Sequence, residues 1–145
     1  MNDRNPLWPT LTQRCGTLGV ALWQCSPSGE IEVTPREPAA LAKWFASPLL
    51  HLRMTAMGQQ CAKGAQQQFE VFPGCVVVPL REAGLSQRPF GLAMVFVESS
   101  LDSQMFEQIC ASANADPAEV RQALAPLMKR SSELPQLAAI LQWSY

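Results

Sequence analysis

Apolar and polar positions alternate most clearly between Leu18 and Val33. Val20 and Leu22 alternate with Ala21, Trp23 and Cys25; past Ser26-Pro27-Ser28-Gly29, Ile31 and Val33 alternate with Glu30 and Glu32. A period of two on either side of a four-residue Pro/Gly turn predicts a β-hairpin. Pro27 presets a turn φ and Gly29 supplies a positive one. Ahead of the hairpin, Leu7–Leu18 reads as a short helix with Gly16 as its stop. Behind it, Thr34 to Glu37 resembles a capping box and Pro38 suits a first helical turn. Leu41, Trp44 and Phe45 then share one helical face. Ser47-Pro48 breaks that helix, because the proline ring clashes with the preceding turn. A second helix follows from Leu49 to about Lys63, with Leu49, Leu52 or Arg53, Met57 and Cys61 along one side and Gly64 as its stop.

Phe69 to Leu80 carries two apolar runs around Phe72-Pro73-Gly74, so it reads as a strand region with a turn or bulge in its middle. Residues 75–80 and 90–97 read as an antiparallel pair joined by a nine-residue loop. A helix over Ser99–Ala113 places Leu101, Met105, Phe106, Ile109 and Cys110 at helical spacing. Asp116-Pro117-Ala118-Glu119 opens the next helix with Asp as N-cap and Pro at the first position. A last helix starts at Ser131 or Ser132 and reaches Tyr145 without a stop signal, which is read as continuing into a further domain. The order α-ββ-αα-ββ-ααα predicts an α+β domain: an antiparallel sheet of 4–5 strands, PAS/GAF-like, with helices on one face and a C-terminal helical segment. The divisions are 1–17 as a helical lead-in, 18–130 as the sensory domain and 131–145 as a linker or signalling helix.

Composition narrows the function. Net charge is −1 with eleven basic residues spread along the chain, and no basic stripe tracks a phosphate backbone or an anionic membrane. No apolar run reaches the ~18 residues of a bilayer span, and Met1–Thr10 does not read as a signal peptide. Charged residues make up 16% of the chain, below the ~25% usual for soluble domains. Either a partner surface, such as a homodimer contact, or a well-packed monomer with a Gln/Ser-rich exterior accounts for that. The five cysteines, at 15, 25, 61, 75 and 110, are odd in number and irregularly spaced, which points to free thiols in the cytoplasm.

Candidate chemistry is sparse. There is one histidine, His51, with Arg53 nearby on a predicted helix; it is either a helix-surface residue or part of a site. No cysteine pair has zinc-ligand spacing, and Cys75–His51 is the one nucleophile–base pairing to weigh. No nucleophile elbow, dinucleotide fingerprint or phosphate-binding loop is present. Trp23 on the first strand and Trp44 on the helix beside it serve either as core packing or as pocket walls. Trp143 suits a dimer contact.

Two stretches carry a family likeness. Phe72-Pro73-Gly74-Cys75-Val76-Val77-Val78-Pro79-Leu80 followed by Pro89–Val97 is one; Met105–Ala111 through Asp116-Pro117-Ala118-Glu119 to Ser131-Ser132-Glu133 is the other. Together they resemble a PocR-like sensory domain, a PAS-related module. The chain also looks like the N-terminal domains that precede HD-GYP domains in planctomycete signalling proteins. The resemblance implies a non-catalytic, dimeric, ligand-sensing domain that controls an attached cyclic di-GMP phosphodiesterase, with Cys75 bordering a small-molecule pocket. The PocR pattern has a histidine after this cysteine, where Val76 stands here. The candidate ligand-binding residues are Trp23, Trp44, His51, Arg53 and Cys75. No cofactor is specified.

Overall fold

A computed structural model describes residues 8–36, 39–63, 69–80, 89–98 and 101–143. The elements are α1 (Trp8–Leu18), β1 (Ala21–Cys25), β2 (Ile31–Val33), α2 (Ala39–Phe45), α3 (Pro48–Ala62), β3 (Phe69–Phe72), β4 (Cys75–Leu80), β5 (Phe90–Val97), α4 (Ser103–Ala113), α5 (Pro117–Leu124), β6 (Met128–Lys129) and α6 (Leu134–Trp143). The class is α+β. The main sheet runs β2-β1-β5-β4-β3 with every pair antiparallel, and β6 joins β5 in parallel. β6 extends the expected four or five strands to six.

β5 lies at the centre, flanked by β1 and β4. Every residue of β4 and β5 is buried, which is why both read as unbroken apolar runs rather than alternating ones. Among the described residues the last pair of β3 with β4 is Phe69 with Val77, and Pro79 of β4 stands opposite Leu92 of β5. β2 is short and largely exposed, as suits an edge.

The sheet is covered on both faces, which corrects the expectation of helices on one. The period of two sends Trp23, Cys25, Cys75, Val77, Phe90, Leu92, Met94 and Phe96 to one side, where they meet α2–α5. It sends Val20, Leu22, Val78, Leu80, Ala93 and Val95 to the other, where Cys15 of α1 and Leu137 of α6 cover them.

Local chemistry sets most boundaries. Ser47 caps α3 by accepting from the Leu50 N–H, with Pro48 at the first helical position. Asp102 and Asp116 cap α4 and α5 in the same manner. α4 therefore starts at Ser103, later than the expected Ser99. α1 runs through Gly16 and stops at Gly19, whose φ is 71°. There the Val20 N–H donates to Cys15 O and the Gly19 N–H to Gly16 O, the paired bonds of a Schellman stop. The expected capping box at Glu37 and Pro38, the stop at Gly64 and the loop at 81–88 lie outside the described residues.

α3 presents a face that overlaps the expected one but is turned toward Leu50 and Met54: of the expected stripe Cys61 is buried and Leu49 and Met57 pack against the core. Leu50, Met54, Gly58 and Cys61 are buried, whereas Leu52 is 69% exposed. The fully buried set recurs at steps of four, four and three, one position round the helix from the expected Leu49, Arg53, Met57 and Cys61, and of the two alternatives it is Leu52 that points away.

Candidate functional site

Of the five candidate ligand residues, Trp23, Trp44 and Cys75 meet in one core, each with no exposed surface. Trp44 stands at the centre of an aromatic cluster. Its ring lies 5.7 Å from Phe45, 5.8 Å from Phe96 and 5.8 Å from Phe106, and Trp23 meets Phe45 edge-on at 6.0 Å. Such spacings are those of favourable aromatic pairs. The rings fill the space between the sheet and α2–α4 against one another.

The packing leaves two donors unsatisfied. The indole N–H groups of Trp23 and Trp44 are buried without a hydrogen-bond partner, and each such group costs about 1–3 kcal/mol. The Trp44 indole lies near enough to the Cys110 thiol to favour its thiolate, without meeting hydrogen-bond geometry. Burial nevertheless wins, and the Cys110 pKa is raised.

The structure does not bring His51 and Arg53 into this cluster's interior. His51 is exposed on α3. Arg53 is half-buried, and its Nη1 donates to Val71 O at 2.9 Å, so the guanidinium ties α3 to the edge strand β3. Cys75 is fully buried, and its thiol is pushed up by that burial and by Glu70. An exposed imidazole and a buried neutral thiol do not form a nucleophile–base pair. None of the five cysteines is in a disulfide, and all five are buried. Among the described residues no group of three or more His, Cys, Asp or Glu side chains is set to hold a metal ion.

An open cavity lies on the other face of the sheet. It measures about 430 Å³, within the ~300–1,000 Å³ range of small-molecule sites. β1 and β2 supply its floor: Val20, Leu22 and Gln24 point to this face, and Val33 pairs with Gln24. α1 forms the roof through Thr12, Cys15 and Gly16. The segment Thr34–Arg36 continues from β2 as one wall, and Gly19 and Leu127 close an end. The lining is mainly apolar, with Thr12, Gln24, Thr34 and Arg36 as its polar groups. Burial raises the Cys15 thiol to about 11, so it contributes as a neutral apolar group.

None of these residues stood out in the sequence. The one available signal was Gln24, a polar residue on the face otherwise built from Val20 and Leu22. Its meaning depends on α1 folding back over the hairpin, which no local pattern announces. No protein-family model, curated protein or solved structure matches the chain.

Proposed function

We propose that this chain is a regulatory ligand-sensing domain whose binding site is the cleft between α1 and the β1–β2 hairpin. The carrying observation is that Leu127, in the cleft wall, directly precedes β6, which pairs with β5 and leads on to α6. A molecule filling the cleft presses on the segment that positions α6. The likeness to PocR-like domains supports a sensory role, and the α+β architecture with a central antiparallel sheet is compatible with the PAS/GAF type. In this reading the domain does no chemistry, works as a homodimer and passes its state to an attached signalling domain, an HD-GYP phosphodiesterase by resemblance.

A second location is favoured by one observation. The unpartnered indole donors of Trp23 and Trp44 suit a ligand acceptor admitted between the sheet and α2–α3. One experiment separates the two. Amide and indole resonances of the isotope-labelled chain are followed while a metabolite library is added. Shifts at Gly16, Leu22 and Gln24 place the ligand in the cleft; shifts at the Trp23 and Trp44 indole N–H place it in the aromatic core. A library that moves neither set removes ligand sensing.

A further inference from the structure

Resting on the cleft reading, we infer that its ligand is a carboxylate-headed amphiphile, with an apolar body under α1 and its anionic head at Arg36. Among the described residues Arg36 is the one charged residue in the lining. It is exposed, so a head group there keeps its water while the tail is covered. A second cation lies beside the lining residue Gly19 and outside the lining itself: the Lys129 ammonium is 2.7 Å from where a Cβ on Gly19 would stand. Among the described residues no carboxylate lines the cleft. Glu32 adjoins Val33 at the hairpin's register shift and lies near enough to Cys25, on the opposite face of the sheet, to raise its thiol. An anionic head at Arg36 therefore meets a cation, with the Lys129 ammonium beyond Gly19, and no described carboxylate, while a cationic head meets repulsion.

The apolar part is limited by volume. A cavity of about 430 Å³ has room for roughly fourteen groups of water size at ~30 Å³ each, so a ten-carbon chain fits with its head group. Leu22, Val20, Cys15 and Leu127 offer that chain no polar atom except the neutral Cys15 thiol.

The test uses three ten-carbon amphiphiles below their micelle concentrations: decanoate, decan-1-ol and decyltrimethylammonium. Binding to the full chain is measured by calorimetry at low and high salt. Decanoate is expected to bind about tenfold more tightly than decanol at low salt, as for a charge-assisted contact, and the cation most weakly. Raising the salt narrows the difference. Arg36→Gln is expected to bring decanoate close to decanol while leaving decanol unchanged. Gly16→Leu fills open space at the roof, since a Cβ there meets nothing within 4 Å, and is expected to abolish all binding without lowering the melting temperature. Decanol binding as tightly as decanoate, or a ratio untouched by Arg36→Gln, overturns the head-group inference and leaves the cleft as an apolar site. Failure of all three amphiphiles to bind removes this inference and the cleft reading together.

Discussion

Gly29 and Gly58 meet backbone to backbone. The first tops the β1–β2 turn, the second lies inside α3, and a Cβ on either would run into the carbonyl oxygen of the other. The contact seats the hairpin against α3 and explains a glycine in the middle of a helix, where glycine costs about 0.5–1 kcal/mol relative to alanine. Gly29 also has a φ of 94°, a region that side-chain-bearing residues avoid.

Gly58→Ala is accordingly expected to destabilise the fold by about 2 kcal/mol, the overpacking cost exceeding the gain in helix propensity. The denaturant midpoint should fall with the slope of the transition unchanged. A midpoint equal to or above wild type would show that the two backbones are not in contact.

Gly16→Ala is expected to act in the opposite direction. Gly16 also lies inside a helix, but it is exposed and a Cβ there meets nothing within 4 Å. Only the propensity gain remains, so stability should rise by about 0.5–1 kcal/mol. For a domain of this size a few degrees of melting temperature would register it. A fall would mean that α1 does not extend through Gly16.

These two glycines mark the limit of what the sequence discloses. The hairpin at Pro27-Gly29, the break at Ser47-Pro48, the Pro73-Gly74 turn and the Asp116-Pro117 cap were all legible, because each rests on chemistry within a few residues. The buried face of α2 was legible too, since Leu41, Trp44 and Phe45 leave no other choice. The face of α3 was legible only in part: Leu49, Met57 and Cys61 of the expected stripe pack on the core, but Leu50 and Met54 carry its centre. Leu49, Leu50 and Leu52 offer rival stripes, and the stripe that packs includes Gly58, whose neighbour is 29 residues away in the chain. Gly16 looked like a stop and proved to be interior, because the true stop needs the bonding of Cys15, Gly16, Gly19 and Val20 together. β6 is two residues long and is defined only by its partner. The cleft was invisible for the same reason: its roof, floor and end wall come from three separated segments.

Arg53 shows how a candidate ligand residue acquires a structural duty. Its Nη1 bond to Val71 O satisfies a carbonyl of the edge strand β3, and a charged donor bond of this kind is worth about 1.5–3 kcal/mol before solvent screening. The guanidinium is half-buried, so Arg53→Met is expected to cost about 1 kcal/mol. Amide exchange in β3 should quicken more than exchange in β5. Equal quickening in the two strands would deny Arg53 a local role.

The buried thiols make stability sensitive to alkali. Burial lifts Cys15 to about 11. Burial, then Cys61 and Glu32, lift Cys25 to about 12, and Cys75 and Cys110 are raised as well. In the unfolded chain these groups ionise near 9.0. Below that pH both states hold the protons and the contribution to stability is complete. Above it the unfolded state loses protons that the native state keeps, so the free energy of unfolding falls as pH rises, by about 1.4 kcal/mol per pH unit for each such thiol. For Cys15 this loss ends near pH 11. Unfolding curves from pH 7 to 10.5 should be level up to about 8.5 and then decline. Lysine and tyrosine titrate in the same range, so the comparison that isolates the thiol is Cys15→Ala: a lower stability throughout, but a decline shallower by about one proton's worth above pH 9. Ellman's reagent at pH 8 should leave all five thiols of the native chain unreacted over minutes and modify them together once denaturant unfolds it. A Cys15→Ala profile parallel to wild type, or prompt labelling of the native chain, would contradict burial of the thiols.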